Sequence, residues 1–416
     1  MSIDIQQIRS NFPALQSDTI FFDGPGGTQV TQSVIDAIRD YYVTANANHG
    51  GAFPTSQRND QIIHAAREAF ADFFNARAPE EIVFGNNMTT LTFHMSRALG
   101  RTLQPGDEIM VTRLDHDANI SPWLALQERG IVVKWVDIHT DDVTLDMADF
   151  EKQLSNKTRV VAVGLASNAV GTVNPVRQIA DLAHMAGAFV YIDAVHYAPH
   201  FPIDVQALNC DFLVCSAYKF CGPHLGILYG KHELLERLQA YKVRPSPPEP
   251  PEKWETGTQN FEGIAGAAAA VNYLAGLGAQ YGGEHARDFP GFTRRRLNLK
   301  TGMAAIHAYE KELFTHLMVE LAKLESVTTY GITDLSRFDR RTPTVAFNLK
   351  GHTPQEVARA LGEENINVWD GNYYALAVME RLGLQETGGA VRVGLAHYNT
   401  RAEVDRLLER LRAIAG

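Results

Sequence analysis

The runs FVYIDA (189–194) and FLVCSAYK (212–219) decide the fold class of this chain of 416 residues. Both begin as short, continuously apolar segments, and Asp193 and Lys219 lie at their polar ends. Continuous apolar runs of this kind are typical of strands that are buried on both faces of a parallel sheet. In an open α/β sheet, ligands bind at the carboxyl ends of the strands. We therefore expect Asp193 and Lys219 to lie together at one binding site.

Similar runs extend the pattern outward on both sides. Helical patterns such as VRQIADLAHMAG separate several of them, which predicts a mostly parallel, seven-stranded sheet covered on both faces. LGILYG (225–230) follows the preceding run so closely that we expect an antiparallel strand, at an edge or as an insertion. The remaining strand candidates are EIVF (81–84), EIMVT (108–112), VVKWVDI (132–138) and RVVAVGL (159–165).

The C-terminal part of the chain has a different pattern. Helices alternate there with strands such as TPTVAFNLKG and AVRVGLAHY, which predicts a small α+β domain at 276–416. We assign 21–275 to the large domain and 1–20 to a helical segment that packs with the small domain. The proline-rich stretch RPSPPEPPE (244–252) predicts a surface loop or lid, because proline removes backbone donors and fixes φ.

Composition narrows the class of function. A formal net charge of -10 offers no basic field for nucleic acid or anionic lipid, so a small-molecule substrate is expected. The most apolar stretch, GIAGAAAAVNYLAGLG (263–278), is too short and too glycine-rich for a membrane span. MSIDIQQIRSNFPAL reads as an amphipathic helix and not as a secretory signal, so we expect a cytoplasmic protein. The spacing of Cys210, Cys215 and Cys221 predicts no metal site.

The polar groups at the strand ends suit one cofactor, pyridoxal phosphate. A carboxylate such as Asp193 pairs with a protonated pyridine nitrogen, and a desolvated lysine such as Lys219 forms a Schiff base. Thr89 and Thr90 follow a strand run and open a helical pattern, where backbone donors bind phosphate. His116 follows another strand, where its ring could stack on a pyridine. The alternatives are a turn aspartate, a solvated lysine, a threonine N-cap and an ordinary loop histidine.

These segments resemble the class V, fold-type I aminotransferase superfamily, and within it the group II cysteine desulfurases. The resemblance runs along essentially the whole chain and implies the fold of a pyridoxal-phosphate-dependent transferase. The motifs that carry it are DHDANISPW, SNAVGT, YIDAVHYAPH, SAYK and NMTT. The resemblance implies that His116 stacks on the cofactor ring, that Asp193 binds the pyridine nitrogen and that Lys219 forms the Schiff base. It further implies that Asn168 and His196 contact the phenolic oxygen. The residues that it implies for the phosphate are Ser216, Tyr218, Thr89 and Thr90.

Two further motifs of the family imply a dimer and a carboxylate site. WETGTQN (254–260) is similar to a segment whose threonine reaches the neighbouring subunit's phosphate, which implicates Thr258 and a homodimer. VRVGLAHYNT places Arg392 at the position that binds the substrate α-carboxylate, for which a planar bidentate donor is suited. His49 matches a histidine at the mouth of the active site.

The departure from the family lies in VWDGNYYALAV. Desulfurases carry a persulfide-forming cysteine in this region, where this chain has Tyr374, and a phenol forms no persulfide. Cys221, two residues after Lys219, is an alternative nucleophile. Asp370 is a candidate contact for the substrate side chain.

The sequence therefore predicts an enzyme that acts on a small amino acid. We favour a β-eliminating C–S lyase without persulfide chemistry. The alternatives are a class V aminotransferase or epimerase, a non-catalytic homologue that binds the cofactor, and a Schiff-base aldolase without cofactor.

Overall fold

The strands of the chain form one large sheet and several smaller ones. A computed structural model describes residues 3–416. The strands are β1 (Ile20–Phe21), β2 (Ile82–Gly85), β3 (Glu108–Thr112), β4 (Val132–Val136), β5 (Ile138–His139), β6 (Thr144–Leu145), β7 (Thr158–Gly164), β8 (Phe189–Asp193), β9 (Phe212–Ser216), β10 (Gly226–Gly230), β11 (Val327–Tyr330), β12 (Thr344–Leu349), β13 (Ile366–Asn367), β14 (Trp369–Gly371) and β15 (Ala390–Gly394).

The large sheet has seven strands in the order β2, β10, β9, β8, β7, β3, β4. All neighbours from β9 to β4 are parallel, whereas β10 is antiparallel to both β9 and β2. The mostly parallel, seven-stranded sheet and the antiparallel direction of β10 are thus confirmed. Of the two positions that the sequence allows for β10, an edge and an insertion, the structure has the insertion, between β2 and β9.

Helices cover both faces of this sheet, as the continuous apolar runs predict. Along β8, Val190 and Ile192 pack into one core cluster and Tyr191 into the cluster on the opposite face. The helices are α1 (Ile5–Arg9), α2 (Gln32–Thr44), α3 (Pro54–Phe74), α4 (Met88–Gly100), α5 (Ser121–Leu124), α6 (Met147–Gln153), α7 (Val176–Met185), α8 (Val205–Leu208), α9 (His232–Arg237), α10 (Phe261–Tyr281), α11 (Arg294–Leu321), α12 (Pro354–Gly362), α13 (Leu376–Arg381) and α14 (Arg401–Ala415). None of the helices in residues 3–416 is long and apolar enough to cross a membrane.

The C-terminal part forms a four-stranded antiparallel sheet in the order β11, β12, β15, β14. Its apolar face packs against α12, α14 and the C-terminal half of α11 around a separate core. The predicted division of the chain stays a prediction. Its boundary at residue 275 falls inside α10, which packs along α11 and belongs to the core of the large sheet.

The N-terminal segment is less helical than its pattern predicts. α1 has five residues and ends before Asn11, and a 3-10 turn follows at Pro13–Gln16, because proline donates no backbone hydrogen bond to a continuing helix. Its first two residues lie outside the part of the chain that the structure describes. Phe12 packs against Tyr273 of α10 and against Tyr398, so the segment contacts both parts of the molecule.

Candidate active site

The carboxyl ends of β8 and β9 bring the first site residues together. Asp193 ends β8, Ser216 ends the neighbouring β9, and Lys219 follows in a short 3-10 turn. All three side chains are buried. The residues that the sequence places at the ends of these two strands therefore lie close together at one edge of the sheet.

Lys219 is a buried amine with unusual electrostatics. Its side chain is only 8% exposed, and Nζ donates a hydrogen bond to the carbonyl oxygen of Pro25. Burial, together with the positive charge of Arg392, lowers the pKa of Lys219 to about 7, while Asp193 acts in the opposite direction. Near neutral pH, a large fraction of this amine is therefore unprotonated and able to act as a nucleophile or base.

Asp193 is a buried carboxylate without a cationic side chain in contact. Its Oδ1 accepts a hydrogen bond of 2.8 Å from the backbone N of Val195. Burial raises the pKa of Asp193 to about 6, and the charge of Lys219 only partly opposes this rise. A protonated ring nitrogen placed beside this carboxylate would favour its ionised form.

His116 lies at the other side of the pocket with its ring held in place. Its Nδ1 accepts a hydrogen bond of 3.0 Å from the backbone N of Ala118, which leaves the proton of the neutral ring on Nε2. Burial lowers the pKa of His116 to about 4, so the ring is neutral at physiological pH. The ring of Tyr374 stacks on it at a centroid distance of 5.5 Å and an interplanar angle of 15°.

Asp115 is a pocket residue to which sequence reasoning assigned no role. It lines the same pocket as Asp193, accepts a hydrogen bond of 3.0 Å from Asn119 Nδ2, and contacts the hydroxyl of Thr112. Burial raises the pKa of Asp115 to about 7. The signal available in the sequence was its place directly before His116, at the end of a strand run.

The N-terminus of α4 forms the polar end of the pocket. The backbone N of Met88 donates to Ser216 Oγ at 3.1 Å, which ties the start of the helix to the end of β9. Thr89 lines the pocket, whereas Thr90 is exposed and uses its hydroxyl on the carbonyl of Asn87. The structure therefore brings Thr89 and not Thr90 to the cavity, because consecutive helix residues point in different directions.

Asn168 and His196 connect the pocket to the C-terminal domain. Asn168 Nδ2 donates to the carbonyl of Tyr373 at 2.8 Å, and its Oδ1 is buried without a hydrogen-bond partner. His196 Nε2 lies 3.1 Å from the hydroxyl oxygens of both Thr342 and Thr344. Both Asn168 and His196 line the pocket, as predicted for contacts with a cofactor.

Arg392 is held beneath the cavity by two contacts. Its Nη1 donates to the carbonyl of Asn168 at 2.8 Å, and its guanidinium carbon lies 4.3 Å from the ring centroid of Tyr373. Burial lowers the pKa of Arg392 to about 10, so it remains a cation at neutral pH. Its Nε is buried without a partner, which leaves a donor available near the cavity.

The outer cavity lies between the carboxyl edge of the large sheet and the β14–β15 part of the small sheet, and has a volume of about 830 Å³. Trp369 pairs with Arg392 across β14 and β15, so their side chains share a face of the small sheet, whereas Asp370 pairs with Val391. Tyr218 lines the cavity, and its ring stacks on His224 at 4.9 Å. The lining residues that matter here are Thr89, Phe93, His116, Asp117, Asn168, Tyr218, Lys219, Trp369, Asp370, Tyr373, Tyr374 and Arg392.

Two predicted site residues lie outside this cavity. His49 is exposed, and its ring lies 6.0 Å from that of Phe261. Thr258 is exposed in the turn before α10. Neither residue lines the cavity within the single chain, and their assigned roles stay predictions.

The fold and the site define a fold-type I enzyme that depends on pyridoxal phosphate. The aminotransferase class-V family model matches residues 20–298 and 295–407, and the chain belongs to this family. Within the family, it is an enzyme of the cysteine desulfurase type.

Three relatives illustrate the likeness. A cysteine desulfurase of Synechococcus elongatus is 33% identical over the whole chain, which spans 64% of that protein's length. A probable cysteine desulfurase of Synechocystis is 32% identical over 98% of this chain and 94% of its own. The apo structure of a cysteine desulfurase from Thermococcus onnurineus superposes with a TM-score of 0.86 at 28% identity, and covers 100% of this chain and 98% of that one.

The residues of the pocket fit the family's cofactor. The unpartnered Asn168 Oδ1 and the buried carboxylate of Asp193 provide polar groups at one side, and the first turn of α4 provides backbone donors at the other. A Cβ added to Gly226 would lie 2.4 Å from the backbone carbon of Asn87, so only glycine lets β10 approach the start of α4 this closely. Lys219 lies between these groups, lining the same pocket.

Proposed function

We propose that this enzyme is a β-eliminating C–S lyase, which acts on cysteine or S-substituted cysteines without a persulfide on the protein. The observation that carries the proposal is Tyr374, at the place where the related desulfurases are expected to have their thiol. Its side chain is 73% exposed and stacks on His116, so a phenol stands at the mouth of the cavity. Phenols do not accept sulfur as persulfides.

The three cysteines of the chain support the same proposal. Cys210, Cys215 and Cys221 are at most 1% exposed, and none of them lines the cavity. Burial raises the pKa of Cys221 to about 12, although this residue is close to Lys219 in sequence. A sulfur acceptor has to be an accessible thiolate, which none of these side chains provides.

The residues proposed for binding the substrate and removing its Cα proton have the protonation states that these steps require. Pyridoxal phosphate, when bound, supplies an electron sink for the carbanion formed at Cα. Arg392 binds the α-carboxylate with its guanidinium, and neutral Lys219 removes the Cα proton as a general base. Asp193 would hold the protonated ring nitrogen of the cofactor, and the neutral ring of His116 would contact the cofactor ring. The Cβ–S bond breaks and the sulfur leaves as a thiol with a proton, and water then hydrolyses the released 2-aminoacrylate to pyruvate and ammonia.

The products distinguish elimination from desulfuration. Elimination converts cysteine and water into pyruvate, ammonia and hydrogen sulfide, whereas desulfuration leaves alanine and a persulfide. We expect the purified holoenzyme to release pyruvate and ammonia in equal amounts, and a Cys221→Ser variant to retain this activity. Alanine as the product, together with activity that is lost in Cys221→Ser, would show the proposal to be wrong.

The alternatives have their own outcomes in the same assay. A 2-oxo acid that forms only with an amino acceptor indicates transamination, and exchange of the Cα hydrogen without product indicates epimerisation. A protein that retains the cofactor but shows no spectral change with any amino acid indicates a non-catalytic homologue. A colourless active enzyme indicates an aldolase. None of these alternatives has a feature comparable to Tyr374 in its favour.

A homodimer and a cytoplasmic location remain part of this proposal. Thr258 is exposed in its own chain, as a residue that reaches the phosphate of a neighbouring subunit would be in an isolated chain. We expect Thr258→Ala to release the cofactor more readily than wild type while the size of the particle in solution stays that of a dimer. A monomeric wild type would contradict the assignment.

A further inference from the structure

We propose that the preferred substrate carries a positive charge at the end of its side chain. This proposal rests on the proposed function for the position of the cofactor and of the α-carboxylate. It adds the charge of the side chain, which the sequence motifs do not specify. It is based on the charges of the cavity and on its exposed aromatic rings.

The cavity extends from the buried Lys219 to an open rim. Its volume of about 830 Å³ lies at the upper end of the range for pockets that hold a complete small-molecule ligand. The adjoining inner pocket near Asp193, which shares Lys219 and His116 with this cavity, has a volume of about 60 Å³. It is too small for the cofactor, so the cofactor and the reacting end of the substrate share the outer cavity, which opens toward Asp117, Trp369 and Asp370.

The cavity has its positive charges at the inner end and its negative charges in the outer part. The two cations, Lys219 and Arg392, are buried at its inner end, where the Schiff base and the α-carboxylate belong. Asp117 and Asp370 line the outer part and are less buried. Among residues 3–416, no lysine, arginine or histidine forms an ion pair with either carboxylate. A cationic side chain of a substrate would thus find two unneutralised carboxylates when its α-carboxylate is bound to Arg392.

Asp117 is fixed in position at the rim. Its backbone N donates to the carbonyl of Tyr374 at 2.7 Å, and its Oδ2 accepts a hydrogen bond of 2.5 Å from Ser121 Oγ. Asp370 also lines the cavity, and its charge is one of the causes that raise the pKa of the Tyr373 phenol, after burial. The negative charge of Asp370 is therefore felt at a residue that lines the cavity.

Two exposed aromatic rings flank these carboxylates. Trp369 is 48% exposed and Tyr374 is 73% exposed, although both rings line the cavity. The faces of tryptophan and tyrosine attract ammonium and guanidinium groups. Aromatic faces combined with carboxylates recognise cations better than neutral or anionic groups.

Two unpartnered atoms indicate that a polar ligand binds at the inner end of this cavity. Arg392 Nε and Asn168 Oδ1 are buried without hydrogen-bond partners, and both residues are at least nine-tenths buried and line the cavity. Buried polar atoms of this kind are normally satisfied in the functional state. A carboxylate at Arg392 fixes the inner end of the substrate, so its side chain extends toward the rim.

The test compares ligands that differ in charge but hardly in shape. We expect the cofactor absorbance of the holoenzyme to titrate with L-arginine at a concentration about fivefold or more below that needed for L-citrulline, the factor of one partly exposed ion pair. Asp117→Asn and Asp370→Asn should each reduce this ratio. Asp141→Asn removes an exposed carboxylate outside the cavity and should leave the ratio unchanged.

Three results would overturn the charge inference: citrulline binding as tightly as arginine, L-glutamate binding more tightly than both, or cysteine alone producing a spectral change. The lyase proposal is tested separately with S-(2-aminoethyl)-L-cysteine and its neutral analogue S-propyl-L-cysteine. Pyruvate formed faster from the first compound supports both proposals. Arginine selectivity without pyruvate from either compound supports the charge inference and contradicts the lyase.

Discussion

Lys219 is a reactive amine because of where its side chain lies. Burial and the cation Arg392 both disfavour the ammonium form, and only Asp193 favours it. The same environment that keeps the amine nucleophilic destabilises the folded protein before the cofactor is attached, because a charged lysine of the unfolded chain has to lose its proton on folding. Reactivity and stability are therefore opposed at this residue.

Replacing Lys219 with methionine should stabilise the cofactor-free protein. Between pH 7 and pH 10.5, the wild-type unfolded chain binds a proton that buried Lys219 does not, so its free energy of unfolding rises with pH. We expect Lys219→Met to be more stable than wild type by at least about 2 kcal/mol at pH 7, and by less at pH 9.5. Urea unfolding of both apo-proteins measures the difference.

A matched control for this variant is Lys350→Met, which replaces an exposed lysine. It should change the free energy of unfolding little and equally at the two pH values. An advantage of Lys219→Met that grows as the pH rises would contradict the assigned direction of the Lys219 shift.

Some site residues could be predicted from the sequence because each is the polar residue at the end of one strand. Asp193, Lys219 and His116 follow apolar runs directly, so the topology of a parallel sheet places them together. Arg392 could be assigned only by resemblance, because a single arginine in a strand is usually solvated. The orientation of Asp370 depends on its pairing with Val391, which no local pattern contains.

At the scale of elements, the junction of β10 and α4 determines the shape of the phosphate end. Gly226 pairs with Ser216 on one side and Gly85 on the other, and its backbone lies against Asn87, the N-cap of α4. A side chain at this position would push the first turn of α4 away from the pocket.

Gly226→Ala should therefore weaken both stability and cofactor retention. Because the added methyl carbon would lie 2.4 Å from backbone atoms, we expect a loss of about 2 kcal/mol or more in the free energy of unfolding. Less cofactor should remain bound after gel filtration than in wild type. Gly362→Ala, at the end of α12, meets nothing within 4 Å and should be neutral or slightly stabilising. Equal effects of the two substitutions would contradict the steric argument.

The elements themselves were predictable to different degrees. The strands of the large sheet could be predicted because burial on both faces produces uninterrupted apolar segments in the sequence. The helical periodicity of LFTHLMVELAKLE (313–325) indicates only the end of α11, whose polar first turns begin at Arg294. β11 was missed, because its residues VTTY are only partly buried and lack an apolar run.

At the scale of the molecule, Phe12 joins the N-terminal segment to both domains. It is fully buried, with its ring 5.7 Å from Tyr273 and 5.0 Å from Tyr398. We expect Phe12→Ala to lower the free energy of unfolding by about 3 to 5 kcal/mol, because the cavity cannot be filled by these large rings. Phe53→Ala removes a phenylalanine that is 52% exposed and should cost about 1 kcal/mol or less. A similar melting temperature for both variants would show that Phe12 does not link the domains.

The long helix α11 has a mechanical consequence. Its 28 residues span roughly 42 Å without a proline. Near Gly302 it touches the backbone of α10, and further on Leu313 and Leu317 anchor it in the core of the small sheet. The helix is therefore a rigid connection between α10 and the core of the small sheet, and bending it would break consecutive backbone hydrogen bonds. We therefore expect access to the cavity to depend on the exposed rim residues Trp369 and Tyr374, and engineering a wider entrance should begin there.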